Sequence, residues 1–153
     1  MAVAIRPYRD EDLVAVAQIW WQGWHPLPGA PDERPPSLLA EMMERIPREL
    51  ATRWTLFVAT IDDTVVGMLA FTRAEKYLDE LFIAETHRGQ GIGKALLDFT
   101  KAQLPTGFWL RTNIENDGAR RFYMREGLAH VEDKPHPRFP DNITSIYEWR
   151  SHD

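Results

Sequence analysis

The stretch Arg88-Gly89-Gln90-Gly91-Ile92-Gly93-Lys94 stands between a segment with strand periodicity and a segment with helical periodicity. This arrangement predicts a strand-to-helix turn in which glycines let the backbone approach a ligand closely. The start of the following helix offers unpaired N–H groups at its positive dipole end. Together these features favour binding of a pyrophosphate group, and the simpler alternative is a glycine-rich turn without a ligand.

Spacing excludes two common phosphate-binding motifs. A Walker-type loop needs a glycine five residues before the last glycine and a Ser or Thr after the lysine, whereas this chain has Arg88 and Ala95 there. A dinucleotide-binding Gly-x-Gly-x-x-Gly motif needs a final glycine where this chain has Lys94 or Leu96. The turn therefore matches neither motif, and it is either another kind of anion site or a glycine-rich turn without a ligand.

Outward from this turn, the apolar periodicity changes several times. Before the turn, three runs are rich in β-branched and aromatic residues, and Ile61-Asp62-Asp63 separates the first two as a hairpin. After an initial strand, the predicted elements are helices over 10–22 and 37–45 (ending near Pro47), strands over 54–60, 64–73 and 77–84, a helix over 91–104, a strand over 108–112, a helix over 116–127, and strands over 128–132 and 143–149. This order predicts a mixed α/β fold with a largely antiparallel sheet and one parallel crossover.

Composition narrows the class of protein. The chain has 153 residues, 44% of them hydrophobic and 27% charged, as in an average soluble globular protein. This length favours one domain over residues 1–153. The net charge of -5 disfavours a broad nucleic-acid-binding surface, although a local site for a small anion is compatible with it.

The chain contains no cysteine, which excludes disulfides, thiolate metal sites and a cysteine nucleophile. Its five histidines show no paired ligand spacing, so no metal site is expected. The N-terminal stretch reaches Asp10 without the apolar segment of a signal peptide, and no apolar run approaches the ~20 residues of a membrane span. We therefore expect a cytoplasmic protein without a membrane or nucleic-acid partner.

Two motifs occur in an order known from one protein family. The first is Arg88-x-x-Gly91-x-Gly93, and the second is Asn116-Asp-Gly-Ala119-Arg-Arg-Phe122-Tyr123-Met-Arg-Glu-Gly127-Leu128. They resemble the Arg/Gln-x-x-Gly-x-Gly/Ala signature and the later Asn-x-x-Ala-x-x-Phe-Tyr-x-x-x-Gly-Phe segment of the GNAT superfamily of acyl-CoA-dependent N-acetyltransferases. The chain departs from the family at Glu85, where proline is common, and at Leu128, which replaces phenylalanine.

The resemblance implies a twisted, mostly antiparallel sheet flanked by helices, with two parallel strands that splay apart at an acyl-CoA cleft. It also implies acetyl-CoA as the acyl donor. The implied acetyl-CoA-binding residues are Leu81, Phe82 and Ile83 of the strand, Arg88, Gly89, Gln90, Gly91, Ile92, Gly93 and Lys94 of the turn, and Asn116, Ala119, Phe122 and Tyr123 of the later segment. Capping of a helix is the alternative role of Asn116, and one side chain can serve both purposes.

Two residues are expected to carry the chemistry. The resemblance implies that Tyr123 protonates the departing thiolate, and an ordinary tyrosine, with a pKa near 10, is protonated at neutral pH. Its alternative role is a core tyrosine on an amphipathic helix. Glu80 is the predicted base for the amine, because strand alternation would place Leu78, Glu80 and Phe82 on one face. Asp79, on the opposite face, is its rival, and Glu80 could also be an exposed edge carboxylate.

The acceptor site is expected between residues 20–36 and 134–142. Aromatic and carboxylate side chains suit a cationic amine, and the alternative role of the tryptophans is packing between helices. The predicted substrate contacts are Trp21, Trp24, His25 and Glu80. Because Arg34, Arg138 and His136 would instead suit an acidic substrate, the acceptor stays open between a small metabolite, an antibiotic-like amine, an amino acid and a protein N-terminus.

The expected function is transfer of an acetyl group from acetyl-CoA to a small-molecule or peptide amine, by direct attack in a ternary complex. One alternative is a non-catalytic acyl-CoA-binding or regulatory module on the same fold. Another is a scaffold protein without a nucleotide site. The resemblance also leaves a homodimer open, since dimers are common on this fold.

Overall fold

The structure, a computed structural model, describes residues 2–23 and 36–151. Its helices and strands follow the predicted order along the chain, which confirms the mixed α/β fold. They are β1 (Ala4–Pro7), α1 (Leu13–Gly23), α2 (Pro36–Thr52), β2 (Thr55–Ile61), β3 (Thr64–Thr72), β4 (Tyr77–Ile83), α3 (Ile92–Gln103), β5 (Phe108–Asn113), α4 (Asp117–Arg125), β6 (Ala129–Pro135) and β7 (Ile143–Trp149), with short 3-10 turns at Asp10–Asp12 and Glu85–His87.

The strands form one sheet in the order β1-β2-β3-β4-β5-β7-β6. Neighbouring strands are antiparallel except β4 and β5, which run parallel because α3 crosses between them. In the described sheet these two strands pair at Tyr77 and Trp109 alone. There the N–H of Trp109 donates to the carbonyl of Lys76 over 2.9 Å, and beyond that point the strands separate. The splayed parallel pair expected from the resemblance is present.

Helices cover both faces of the sheet. On the face that we call the α1/α2 face, Trp20 and Ile46 are buried against residues of β2 and β3. On the other, the α3/α4 face, Leu96 and Leu97 of α3 are buried with Tyr147, and residues of α4 pack against the same cluster. Full burial of one such side chain contributes about 1.5–3 kcal/mol, so these two clusters hold the helices to the sheet.

The second helix is longer than predicted, because α2 continues through Pro47 to Thr52. An internal proline costs a helix about 3 kcal/mol, since its ring removes a hydrogen bond and crowds the preceding turn. The apolar stripe continues past this proline, however, with Met42 and Ile46 buried and Leu50 packed against the same cluster. Burial of these side chains offsets the cost. None of the helices in the described part of the chain is long and apolar enough to cross a membrane.

Candidate active site

The separation of β4 from β5 opens a cleft of about 990 Å³ in the middle of the sheet. The glycine turn and the start of α3 line one end of the cleft, and α4 lines its wall. Residues of α1, α2 and β5 and of the segment between β6 and β7 line the other end. This volume lies at the upper end of the range for small-molecule sites, so the cleft has room for two substrates.

The glycine turn presents its backbone to the cleft. Gly89 and Gly91 have φ angles of 77° and 82°, which L-residues with side chains rarely adopt. A Cβ atom at either position would meet no protein atom within 4 Å, so the space in front of the turn is open. Gly91 is the N-cap of α3 and has no side chain to bond the first N–H groups of that helix. These N–H groups are therefore available to an anion.

The other residues of the turn have different surroundings. Lys94 Nζ lies 3.0 Å from both Asp98 Oδ2 and Glu126 Oε1, which ties the start of α3 to the end of α4. Arg88 lines the cleft, and its Nε donates to the carbonyl of Ile83 over 3.3 Å. Neither Gln90 nor Ile92 lines the cleft. Ile92 is buried in the core on the α3/α4 face. Their predicted part in binding is therefore limited to the backbone.

The wall of the cleft is the first two turns of α4. Asn116 caps this helix, because its Oδ1 accepts the N–H of Ala119 over 3.1 Å. The predicted capping role is therefore present, and Asn116 also lines the cleft with Ala119, Phe122 and Tyr123. A Cβ added to Gly93 would lie 3.7 Å from the ring of Phe122, so α3 and α4 approach each other closely here. The motif residues of the two helices thus share one cavity.

A bulge in β4 changes the face of the sheet on which its side chains lie. Two consecutive residues of β3 pair with Leu78 and Glu80, which leaves Asp79 as an extra residue. As a result, Leu78 is buried on the α3/α4 face, whereas Phe82 packs on the α1/α2 face. The prediction that Leu78, Glu80 and Phe82 share a face is therefore wrong for Leu78, because the bulge changes the alternation between them.

The same bulge turns Asp79 toward the end of α2. Trp54 Nε1 donates to Asp79 Oδ2 over 2.8 Å, and Nη1 of Arg53 lies 2.9 Å from the same oxygen. Since Trp54 is buried on the α1/α2 face, the prediction that Asp79 points to the opposite face is wrong. These two contacts engage Asp79 Oδ2 and hold its side chain at the end of α2.

Glu80 is a partly buried carboxylate that lines the cleft. Removal from water and the neighbouring charge of Asp79 raise the pKa of Glu80 well above its usual value, while Arg45 and Arg53 oppose this rise. A carboxylate with a raised pKa holds a proton more tightly than an ordinary one. Glu80 is therefore suited to accept a proton from an amine near neutral pH.

Tyr123 is suited to donate a proton, whereas Glu80 is suited to accept one. Its side chain is partly buried in the cleft, and removal from water, with a smaller contribution from the charge of Glu80, raises the pKa of Tyr123 to about 12. The hydroxyl therefore keeps its proton throughout the physiological range. Glu80 and Tyr123 line the same cleft, which therefore contains a carboxylate with a raised pKa and a hydroxyl that keeps its proton.

We call the end of the cleft opposite the glycine turn the acceptor end, and the residues that line it differ from the predicted substrate contacts. Trp20 and Arg45 line it, with the guanidinium Cζ of Arg45 4.9 Å from the centre of the Trp20 ring. Trp21 does not line the cleft and packs on the α1/α2 face, which is the alternative role considered for it. Trp24 and His25 lie outside the described residues. Neither Trp20 nor Arg45 was among the substrate contacts predicted from the sequence.

Sequence reasoning also missed Arg111 and Tyr77, which line the cleft where β4 and β5 separate. An arginine inside a strand between Leu110 and Thr112 was the available signal, because charged residues are depleted in buried strands. His136, mentioned above for an acidic substrate, lines the same end of the cleft. Burial, followed by the charges of Arg111 and Arg138, lowers the pKa of His136.

Comparison with known proteins identifies the family of this chain. Residues 9–128 match the model of the Acetyltransferase (GNAT) family. The chain is 30% identical over 145 residues to the peptidyl-lysine N-acetyltransferase YjaB of Salmonella typhimurium, a match that covers 90% of this chain and 95% of the relative. This relative is an acetyltransferase of nearly the same length.

Solved structures with lower sequence identity share the fold. A GNAT-family protein from Desulfovibrio desulfuricans is 20% identical and superposes with a TM-score of 0.76, covering 97% of this chain and 99% of the other. The yncA protein of Salmonella typhimurium, solved with its cofactor acetyl-CoA, is 13% identical with a TM-score of 0.71, covering 98% and 94%. Together with the family match over most of its length, these findings show that the chain belongs to the GNAT family of acetyltransferases.

Proposed function

We propose that this acetyltransferase moves the acetyl group of acetyl-CoA to a primary amine by direct attack while both substrates are bound. The observation that carries the proposal is the placement of Glu80 and Tyr123 in the same cleft as the glycine turn. The cleft thus offers an anion site at one end and a proton acceptor and donor further along. The absence of cysteine from the chain supports direct transfer, because no cysteine can hold the acetyl group.

The residues present fit acetyl-CoA. The open N–H groups at the start of α3 and the turn at Gly89 and Gly91 would hold its diphosphate. Residues 81–83 of β4 have lost their partner on the β5 side, so their backbone groups would pair with the amides of the pantetheine arm. Asn116 and Phe122 would line the path of that arm. When bound, acetyl-CoA supplies an acetyl group activated as a thioester.

The side chains of the cleft would then move two protons. An ammonium acceptor gives a proton to the carboxylate of Glu80, directly or through water, and its free nitrogen forms a bond to the acetyl carbon. As the bond from that carbon to sulfur breaks, the hydroxyl of Tyr123 gives its proton to the departing sulfur. The new amide nitrogen loses its second proton to the tyrosine oxygen. The products are an N-acetylated amine and CoA with a free thiol.

The relative YjaB bears the name of a peptidyl-lysine N-acetyltransferase. The ε-amine of lysine is a primary amine, so a lysine side chain belongs among the first acceptors to test on this chain. A cationic amine also suits the carboxylate of Glu80, which lines the cleft.

The test is release of CoA thiol from acetyl-CoA in the presence of a panel of amines. Because the protein has no cysteine, a thiol reagent reports only the CoA that is released. We expect acetyl-CoA to raise the melting temperature and at least one amine to start thiol release. The Gly91→Glu variant should lose both effects, since it places a negative charge in the anion site. Stabilisation by acetyl-CoA without thiol release from any amine would favour the non-catalytic module.

A further inference from the structure

Arg111 extends from the middle of β5 toward the acceptor end of the cleft. Leu110, beside it in the strand, is buried on the α3/α4 face, so Arg111 points to the α1/α2 face, the face of Glu80. Its guanidinium Cζ lies 5.4 Å from the centre of the Trp109 ring, and that ring lies 4.3 Å from the ring of Tyr77. The guanidinium therefore lies at the point where the two parallel strands separate.

Among the residues that the structure describes, no carboxylate forms an ion pair with the guanidinium of Arg111. Its Nη1 is buried from solvent and has no hydrogen-bond partner in the part of the chain that the structure describes. A buried donor without a partner is costly to a folded protein, and such groups are commonly explained by a bound ligand or ion. The planar guanidinium matches a carboxylate, which can accept two of its N–H groups at once.

The neighbours of Arg111 favour an anion over a second cation. Burial first, and then the positive charges of Arg111 and Arg138, lower the pKa of His136, which also lines the cleft. Arg45 also lines this end of the cleft. Asp79, the neighbouring carboxylate, is already paired with Arg53. Within the described ranges, this end of the cleft thus combines Glu80, a carboxylate suited to an amine, with arginines suited to an oxyanion.

We propose that Arg111 binds a carboxylate group carried by the acceptor, so that the preferred acceptors are amines of the amino-acid class. The proposal rests on the proposed function and adds the chemistry of the acceptor to it. Arg111 would position the acceptor by holding its carboxylate, while Glu80 faces the amine. A peptide lysine with no nearby carboxylate would lack this contact.

The test uses pairs of amines that differ only in a carboxylate: lysine with cadaverine, tyrosine with tyramine, and Nα-acetyl-lysine with its C-terminal amide. We expect kcat/KM to be about 10–100-fold higher for at least one carboxylate member than for its partner, through KM more than kcat. The Arg111→Gln variant should bring this ratio close to one, and Arg111→Lys should keep part of it. The KM for acetyl-CoA should stay unchanged in both variants.

The matched control is Arg150→Gln, which removes an exposed arginine away from the cleft and should leave the ratio as it is. A ratio near one in the unaltered protein would overturn the proposal, as would a ratio that Arg111→Gln leaves unchanged. Faster acetylation of a lysine peptide with blocked termini than of any carboxylate amine would also overturn it and favour a peptide acceptor.

A binding measurement separates this proposal from the proposed function. In the presence of CoA, the member of each pair that has the carboxylate should raise the melting temperature more than the member that lacks it. The Arg111→Gln variant should remove this difference. If no amine is acetylated but this difference is found, the catalytic proposal fails and the carboxylate site stands. If the members of each pair stabilise equally, the carboxylate site is overturned whether or not turnover occurs.

Discussion

The two ends of the cleft differ in the groups that we propose bind a substrate, which are mainly backbone groups at one end and side chains at the other. At the end with the glycine turn, which we call the anion end, the groups proposed to bind acetyl-CoA belong to the backbone of one continuous stretch. Gly89 and Gly91 have positive φ there, and the first turn of α3 follows them. At the acceptor end, the groups proposed to bind the amine are side chains of separate strands and helices, among them Glu80, Arg111 and Arg45. One end is local in the sequence, and the other is assembled by the fold.

This difference separates two kinds of specificity. N–H groups at a helix start recognise a diphosphate whatever the rest of the ligand is, so this end suits a carrier shared by many enzymes. Side chains that meet in a cavity recognise the shape and charge of one class of acceptor. We therefore expect changes at the anion end to affect acetyl-CoA binding, and changes at the acceptor end to affect kcat or the acceptor KM.

The largest effect is expected for Glu80→Gln. Loss of a general base typically reduces the rate by about 10²–10⁴-fold, and acetyl-CoA binding should remain. In the unaltered protein, kcat/KM should rise with pH through the raised pKa of Glu80, because the base acts only when deprotonated. Glu80→Gln should lose this limb of the pH profile. Glu41→Gln on the exposed surface of α2 is the control, and equal activity of the two variants would exclude Glu80 as the base.

Tyr123→Phe should reduce kcat by about 10²-fold, at the lower end for loss of a proton donor, and leave the KM for acetyl-CoA nearly unchanged. Because the pKa of Tyr123 is raised to about 12, no loss of activity from its ionisation is expected below pH 10. Tyr8→Phe, outside the cleft, serves as the control. A kcat for Tyr123→Phe that equals that of Tyr8→Phe would show that the proton comes from another source.

At the anion end, Gly91→Ala should weaken acetyl-CoA binding about tenfold, since a left-handed φ costs an L-residue roughly 1–2 kcal/mol and relaxation would move the turn. The added methyl also points into the space where the diphosphate would lie. Gly118→Ala is the matched control, because it lies in α4 and its Cβ would be 3.9 Å from the nearest atom. Calorimetric titration with CoA checks both variants. Equal affinities would place the diphosphate elsewhere.

The smallest effect is on stability. The pKa of Glu80 is raised on folding, so the folded chain binds this proton more tightly than the unfolded chain. The resulting stabilisation is fully present below the unfolded pKa and is lost as pH rises through the folded pKa. Glu80→Gln should therefore melt at a higher temperature than the unaltered protein at pH 8, with little difference at pH 4. A difference that does not depend on pH would show that Glu80 keeps an ordinary pKa.

Local sequence signals predicted most of the fold. The hairpin at Ile61 is an example, since Asp62 and Asp63 both have positive φ in a two-residue turn that such residues favour. The extension of α2 past Pro47 could not be predicted in the same way. It depends on burial of Ile46 and Leu50 against other elements, which a local rule about proline does not include.

In the candidate site, too, some features were predicted from local sequence and others depend on contacts between elements. The turn at 88–94 and the segment from Asn116 to Tyr123 were found from motifs and lie together in the cleft. The bulge at Asp79 was not predicted, because it arises from the register between β3 and β4. Without it, the faces of Leu78 and Asp79 were predicted wrongly, although Glu80 itself lines the cleft.

The sequence by itself determined the family, the order of the elements and the position of the glycine turn that we propose binds the diphosphate, because each of these depends on residues that are close in the chain. Only the tertiary structure decided which side chains meet at the acceptor end. Arg111, Arg45 and Trp20 come from elements that are far apart in the chain, and their common cavity exists because β4 and β5 separate after Tyr77. The family resemblance predicted that these strands separate, whereas the side chains that meet in the resulting cavity depend on how the whole sheet and its helices assemble.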